Sequence, residues 1–187
     1  MKTPLTALVL TLAVAAPLAA QSERQNFEAA EKLKPAHLTS ASRIAPASEP
    51  GAPFLLHGVI LDPAGKPAAG VEVFAYHTDQ GGIYAQPGAA EPWRLKGWAV
   101  TDAQGRFEFR TIRPGPYPGG QIPAHVHFIF STGCCGRQNG EVMFEDDPIV
   151  TPEFRQKNQQ MLYGKVTRGA DGVQEVAYTF RLTPRGQ

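Results

Sequence analysis

Beyond residue 50 this chain is a series of short apolar or alternating runs, each closed off by glycine and proline. The runs are Phe54–Leu61, Gly70–Tyr76, Gly97–Thr101, Arg106–Ile112, His125–Ser131 and Val173–Leu182. Their two-residue period and their β-branched and aromatic content predict strands. Asp62-Pro63-Ala64-Gly65, Asp79-Gln80-Gly81-Gly82 and Asp102-Ala103-Gln104-Gly105 separate them, and all three are turn signatures. Many short strands with such connections predict an all-β fold, a β-sandwich of mostly antiparallel short strands. A short helical segment is expected within 151–162, with Pro152 early in it. Residues 51–187 suffice for one substantial core. No internal repeat or second domain is visible.

The first fifty residues carry a different pattern. Lys2 supplies a positive start, Leu5 to Ala20 are mostly apolar, and Leu18-Ala19-Ala20 ends in small residues. That order predicts a signal peptide over residues 1–20, and hence an exported protein, periplasmic or extracellular. The apolar run is shorter than the roughly twenty residues of a membrane span, and no later segment qualifies. Residues 21–50 are polar and alanine-rich, with a short helix expected from Glu23 to Leu33 and with Pro35, Pro46 and Pro50 breaking any longer pattern. They read as an arm or linker outside the core, through which the chain could form a homo-oligomer.

Charge and cysteine content narrow the picture modestly. A formal net charge of +1 gives no electrostatic reason to expect nucleic acid or an anionic membrane as a partner. The two cysteines, Cys134 and Cys135, are adjacent, so they are not a multi-bridge framework. Reduced thiols, a vicinal bridge and an intermolecular bridge are all compatible with the sequence.

The candidate chemistry gathers in Tyr117-Pro118-Gly119-Gly120-Gln121-Ile122-Pro123-Ala124-His125-Val126-His127. On a strand, His125 and His127 share one face with Cα atoms roughly 6.5–7 Å apart, so both imidazoles can address one metal ion. Neutral imidazole suits zinc, copper, iron and nickel alike, and a pair of surface histidines fits the same spacing. Tyr84 follows the Asp79–Gly82 turn and could meet the Tyr117 turn at one end of a sandwich, where ligand-bearing loops commonly gather. Two phenol oxygens with two imidazoles form a hard donor set that favours ferric iron over zinc.

With those residues in place, the chain resembles the intradiol ring-cleavage dioxygenases, the family of catechol and protocatechuate dioxygenases. The resemblance runs from about Gly58 to Asp147. It includes Gly58–Pro67, Val71–His77, Gly82-Ile83-Tyr84, Thr101–Phe107, Ile112–Pro118 and Pro123–Phe128. It implies a ferric site held by Tyr84, Tyr117, His125 and His127. Within it, Tyr84 and His125 would stay in place while Tyr117, opposite His127, dissociates when substrate binds. The implied partners are a small aromatic diol and O₂, and the implied product is a ring-opened cis,cis-muconate.

One position departs from the family. An arginine is expected immediately before the Pro-Ala-His, and here it is Ile122, which cannot form a charge-assisted hydrogen bond. Arg94, Arg113 and Arg137 are the cations that could replace it, and Gln121 is a neutral candidate. Two other readings stand beside catalysis: a family member that binds iron without turnover, and a non-catalytic transthyretin-like or carboxypeptidase-regulatory-like module. The module reading gives no reason for His125 and His127 to accompany the two tyrosines.

Aromatic residues Phe74, Tyr76, Phe107, Phe109 and Phe128 read as core. Trp93 and Trp98 read as packing residues that could also line an aromatic pocket. His77 reads equally as a donor to a ligand and as a surface residue. Glu145-Asp146-Asp147 lacks calcium-loop spacing and reads as a solvated loop.

Overall fold

A computed structural model describes residues 18–86, 89 and 91–185. The expected signal peptide lies outside the described residues except for Leu18–Ala20. Ten strands form two five-stranded sheets packed face to face. In chain order these are α1 (Leu18–Glu31), β1 (Ala41–Arg43), β2 (Pro53–Leu61), β3 (Glu72–His77), β4 (Leu95–Val100), β5 (Arg106–Ile112), β6 (His125–Thr132) and β7 (Gly136–Phe144). Then come α2 (Pro152–Lys157), β8 (Leu162–Gly164), β9 (Val166–Arg168) and β10 (Gln174–Arg181). The first sheet runs β1-β5-β2-β10-β9 and the second β4-β3-β6-β7-β8. Five of the eight strand pairs are antiparallel, while β1–β5, β2–β10 and β7–β8 are parallel. None of the described helices is long and apolar enough to cross a membrane.

Between the sheets the alternation of the strands builds one core. Phe54, Leu56 and Ile60 from β2, Phe107 and Phe109 from β5, and Val126, Phe128 and Phe130 from β6 point inward and are buried. Each fully buried side chain of this size contributes about 1.5–3 kcal/mol. In α2, the Thr151 hydroxyl accepts the Phe154 N–H and Pro152 sits in the first turn, as the sequence predicts.

The outer face of the second sheet is where the sequence reading needs correction. Residues 21–50 are not a detached arm. Phe27 and Ala30 of α1 are buried against Phe74, Tyr76, Trp93, Trp98 and Ile129, forming a second apolar cluster. After α1, β1 adds an edge strand beside β5. Phe74 and Tyr76 therefore belong to this outer layer rather than to the core between the sheets. Trp93 stacks on Tyr76 with ring centroids 3.8 Å apart and lines a cavity of about 210 Å³ against α1, while Trp98 is packed on Phe74. Strands β1, β7, β8 and β9 lie outside the runs expected from sequence. Cys134 and Cys135 form a vicinal disulfide in the turn between β6 and β7.

Candidate metal centre

Two loops and one strand bring the four predicted side chains together, and glycines allow the loops to touch. After β3, Asp79 Oδ1 accepts the N–H groups of Gly81 and Ile83 at 2.9 and 3.0 Å, folding the chain tightly and delivering Tyr84. After β5, the Gly115 N–H donates to the Asp79 carbonyl at 2.9 Å, and the Thr78 hydroxyl donates to the Gly115 carbonyl at 2.8 Å. A Cβ on Gly115 would lie 2.3 Å from the Gln80 oxygen. Gly82, at φ +81°, has its own Cβ position 2.1 Å from the Pro116 oxygen. These contacts set Tyr117 against Tyr84.

The histidines come from β6, whose outward face carries His125, His127 and Ile129. Asp147 fixes the approach to that strand. Its Oδ2 accepts the buried Ala124 N–H at 2.8 Å and its Oδ1 accepts the Ile149 N–H at 2.9 Å. The acidic cluster is thus not one solvated loop. Asp147 is 6% exposed, Asp146 pairs with Arg113, and Glu145 lies 3.5 Å from Arg155.

Four donor atoms converge. The Tyr84 and Tyr117 hydroxyls are 2.6 Å apart, Tyr84 Oη is 3.5 Å from His125 Nε2, and the two Nε2 atoms are 3.0 Å apart. The Nδ1–H of His125 donates to the Pro123 carbonyl at 2.7 Å, which leaves its Nε2 lone pair facing the cluster. Nδ1 of His127 is 3.8 Å from Glu141, beyond hydrogen-bond reach. The His127 Nε2 therefore either donates to His125 or faces a cation. Donors at about 2.0–2.2 Å from one first-row ion sit roughly 3–3.5 Å from each other, and the observed spacings approach that range. The residues fit a hard trivalent ion.

Burial tunes the protein groups in the opposite sense. It lowers the His127 pKa to about 3, with nearby His125 adding to the effect, so the imidazole is neutral and free to ligate. It raises the Tyr84 phenol strongly, reinforced by the Tyr117 hydroxyl. Tyr117 is also raised, by burial first, with Glu141 and Glu23 contributing. A bound cation inverts this preference by stabilising phenolate.

The candidate cations do not converge on the site. Arg94 donates its N–H to the Tyr84 carbonyl through the backbone, but its guanidinium is held by Glu49 at 2.6 and 2.7 Å. Arg113 is paired bidentately with Asp146 at 2.8 and 2.6 Å and lies over Phe144. Arg137 sits over the Phe27 ring. Each has a stronger local partner than an open cavity provides. Gln121 and Ile122 are exposed on the Tyr117 loop, and Ile122 at 42% presents an apolar surface where the arginine was expected. His77 faces inward between the sheets. Its Nδ1–H donates to the Thr78 carbonyl and its Nε2 accepts from Thr111, both at 2.7 Å, so it is neither exposed nor bonded to a site residue.

Two carboxylates were missed. Glu141 of β7 is directly opposite His127 in the β6–β7 register and lies 3.8 Å from both imidazoles. Glu23 of α1 accepts the Tyr76 hydroxyl at 3.0 Å, and the Tyr76 ring stacks on His127 with centroids 4.7 Å apart. Strand pairing brings Glu141 in, and only the pairing could have revealed it.

Comparison with known proteins bears on the family and the fold. A family model described as dioxygenase matches residues 30–184. Catechol 1,2-dioxygenase 1 of Acinetobacter lwoffii is 30% identical over 144 residues, which cover 67% of this chain and 46% of that protein. The protocatechuate 3,4-dioxygenase beta chain of Burkholderia cepacia is 31% identical over 112 residues, covering 54% of this chain and 48% of that one. The chain thus spans about half the length of the curated relatives it matches. Among solved structures, the dioxygenase domain of a dioxygenase carbohydrate-binding protein fusion from Streptomyces sp. SirexAA-E superposes with TM-score 0.62 at 25% identity. That match covers 80% of this chain and 92% of that one. An intradiol ring-cleavage dioxygenase from Tetranychus urticae shares the fold, with TM-score 0.62 at 18% identity over 82% and 92% of the two chains.

Proposed function

Because the chain belongs to the intradiol ring-cleavage dioxygenase family, we propose that it holds ferric iron through Tyr84, Tyr117, His125 and His127 and cleaves a catechol-type aromatic with O₂ to a cis,cis-muconate-type product. The observation that carries this reading is the convergence of two phenol oxygens and two imidazole nitrogens within 2.6–3.5 Å contacts. When bound, iron would supply a Lewis-acidic centre that takes up the diol and shares its electron density.

The protein groups have separable tasks in this reading. Tyr84 and His125 are the fixed donors. Tyr84 is braced by the Asp79 turn, and His125 is 4% exposed and bonded to the Pro123 carbonyl. Tyr117 is itself half-buried but heads an exposed turn closed by its own carbonyl accepting the Gly120 N–H at 3.1 Å. Glycines at 119 and 120, both at positive φ, give that turn freedom to move. Tyr117, as the donor on the more exposed turn, would take one diol proton at its phenol oxygen. Ile83 and Ile122 present exposed apolar surface on the two tyrosine loops, suited to an aromatic ring. The same convergence disfavours the non-catalytic module, which needs none of these four side chains. The apolar run at residues 5–20 supports export, which fractionation of cells expressing the full chain would test.

To test the reaction, protein loaded with ferric iron is mixed with catechol under argon and then exposed to air. A catecholate absorption band should form and decay, with both atoms of labelled O₂ recovered in a ring-opened diacid. A band that forms and persists in air indicates an iron-binding protein without turnover.

A further inference from the structure

One ring nitrogen at the metal centre is left without a partner, and the neighbouring strand carries a group that can serve it. His125 donates its Nδ1–H to the Pro123 carbonyl, so its Nε2 holds a lone pair. The 3.0 Å contact between the two Nε2 atoms then places a proton on Nε2 of His127 and leaves His127 Nδ1 bare. To ligate through Nε2, neutral His127 must carry that proton on Nδ1 instead. A ligating histidine almost always donates its second ring N–H to a carboxylate, a carbonyl or water. No described residue hydrogen-bonds Nδ1, but Glu141 Oε2 lies 3.8 Å from it, directly across the β6–β7 ladder. Closing that gap to hydrogen-bond length takes about an ångström, a small movement for a glutamate side chain. Glu23, the other carboxylate nearby, is engaged by the Tyr76 hydroxyl, and the Tyr76 ring covers one face of His127. Among the described residues no lysine or arginine pairs with Glu141, and the basic groups within 4 Å of its carboxylate are the two imidazoles.

We propose that Glu141 is a positioning residue of the metal centre: it accepts the Nδ1–H of His127 when that ring ligates, fixing the tautomer that presents Nε2 to iron. The inference rests on the ferric reading above and names a group outside the four donors. Charge balance favours the same partner. Ferric iron with two phenolates and two neutral imidazoles carries one net positive charge, and a charge held away from water needs an opposite one nearby. Glu141 supplies it without displacing a donor. Its charge also makes the imidazole a stronger donor, which leaves the iron less electron-poor.

The test uses protein with isotope-labelled histidine and gallium(III), a diamagnetic stand-in for ferric iron, and locates ring protons by long-range proton–nitrogen spectra. The His127 signals are identified by their absence from His127→Gln. The His127 proton should move from Nε2 in metal-free protein to Nδ1 in the gallium-loaded form. With ferric iron, Glu141→Leu should bind at least about tenfold more weakly than wild type, the scale of losing such a partner, and its phenolate-to-iron band should move to longer wavelength. Glu141→Gln keeps an acceptor oxygen but no charge, so it should recover most of the affinity while its band stays shifted. A Glu141→Leu protein that binds iron within about twofold of wild type with an unshifted band would overturn the proposal and leave the ferric reading intact. So would a Glu141→Gln protein that loses iron as Tyr84→Phe does, since that marks Glu141 as a direct ligand. A His127 proton that stays on Nε2 in gallium-loaded wild type would overturn both the proposal and the place of His127 among the donors. A wild type that takes up neither ion would overturn the ferric reading, and the proposal with it.

Discussion

Replacing Asp147 should unsettle the metal centre from a distance. Its two carboxylate oxygens accept backbone N–H groups from Ala124 and Ile149, and both Asp147 and Ala124 are buried. Hydrogen bonds to a charged group contribute about 1.5–3 kcal/mol each, and a buried N–H left without an acceptor costs about 1–3 kcal/mol. Asp147→Ala removes both acceptors, and water has little access to Ala124. The expected loss is about 3 kcal/mol. Asp147→Asn retains one oxygen acceptor and should cost about half as much. For a chain of this size 1 kcal/mol shifts Tm by about 2–4 °C, so the alanine variant should melt about 6–12 °C below wild type. Circular dichroism melts of iron-free protein provide the measurement. Asp146→Ala is the control, because its pairing with Arg113 is half-exposed on the carboxylate side and surface pairs contribute at most about 1 kcal/mol. An alanine variant within 2 °C of wild type, or one no worse than the Asp146 control, would refute the reasoning. Iron should also dissociate faster from Asp147→Ala, since Ala124 leads directly into His125.

The glycine contact between the tyrosine loops makes a second prediction. Gly115→Ala places a methyl 2.3 Å from a backbone oxygen, so the loops must part, and ferric affinity should fall at least tenfold while the sheets remain folded by circular dichroism. A third concerns pH. Burial lowers the His77 pKa to about 4 in the folded chain, against about 6.5 when unfolded. The unfolded state therefore binds the extra proton first, so stability is full above about pH 6.5 and falls by roughly 3 kcal/mol as pH drops toward 4. Urea midpoints across that window should fall for wild type and fall less for His77→Gln. Finally, Tyr117→Phe should lower turnover more than iron retention, whereas Tyr84→Phe should lose iron; equal iron loss in both would contradict their separate roles.

Much of the sandwich was legible because β5 alternates apolar and polar residues and because β2 and β6 are short runs rich in apolar and aromatic residues bounded by turn signals. Strand β7 escaped because its inward positions include Gln138 and Gly140. The glycine is there because Phe180 occupies the space a Cβ would need, 2.0 Å away, and a requirement for empty space leaves no hydrophobic signal. Helix α1 was read as peripheral because its polar residues outnumber the few, Phe27 and Ala30, that bury. The four candidate ligands were legible since their order along the chain carries a family resemblance and two of them share a strand face. Glu141 and Glu23 were not, because cross-strand register and helix docking bring them to the site. Arg94 and Arg113 were named for their charge alone, and Glu49 and Asp146 hold them elsewhere.

The central claim is that the Tyr84, Tyr117, His125 and His127 donors form one ferric site. Titration of metal-free protein with ferric iron, followed by visible absorption and metal analysis, tests it most directly. The account predicts saturation at one iron per chain with a broad phenolate-to-iron band that gives a burgundy-red protein, and loss of both iron and colour in Tyr84→Phe and His125→Ala. A protein that stays colourless and takes up no iron, or a Tyr84→Phe variant indistinguishable from wild type, would contradict it.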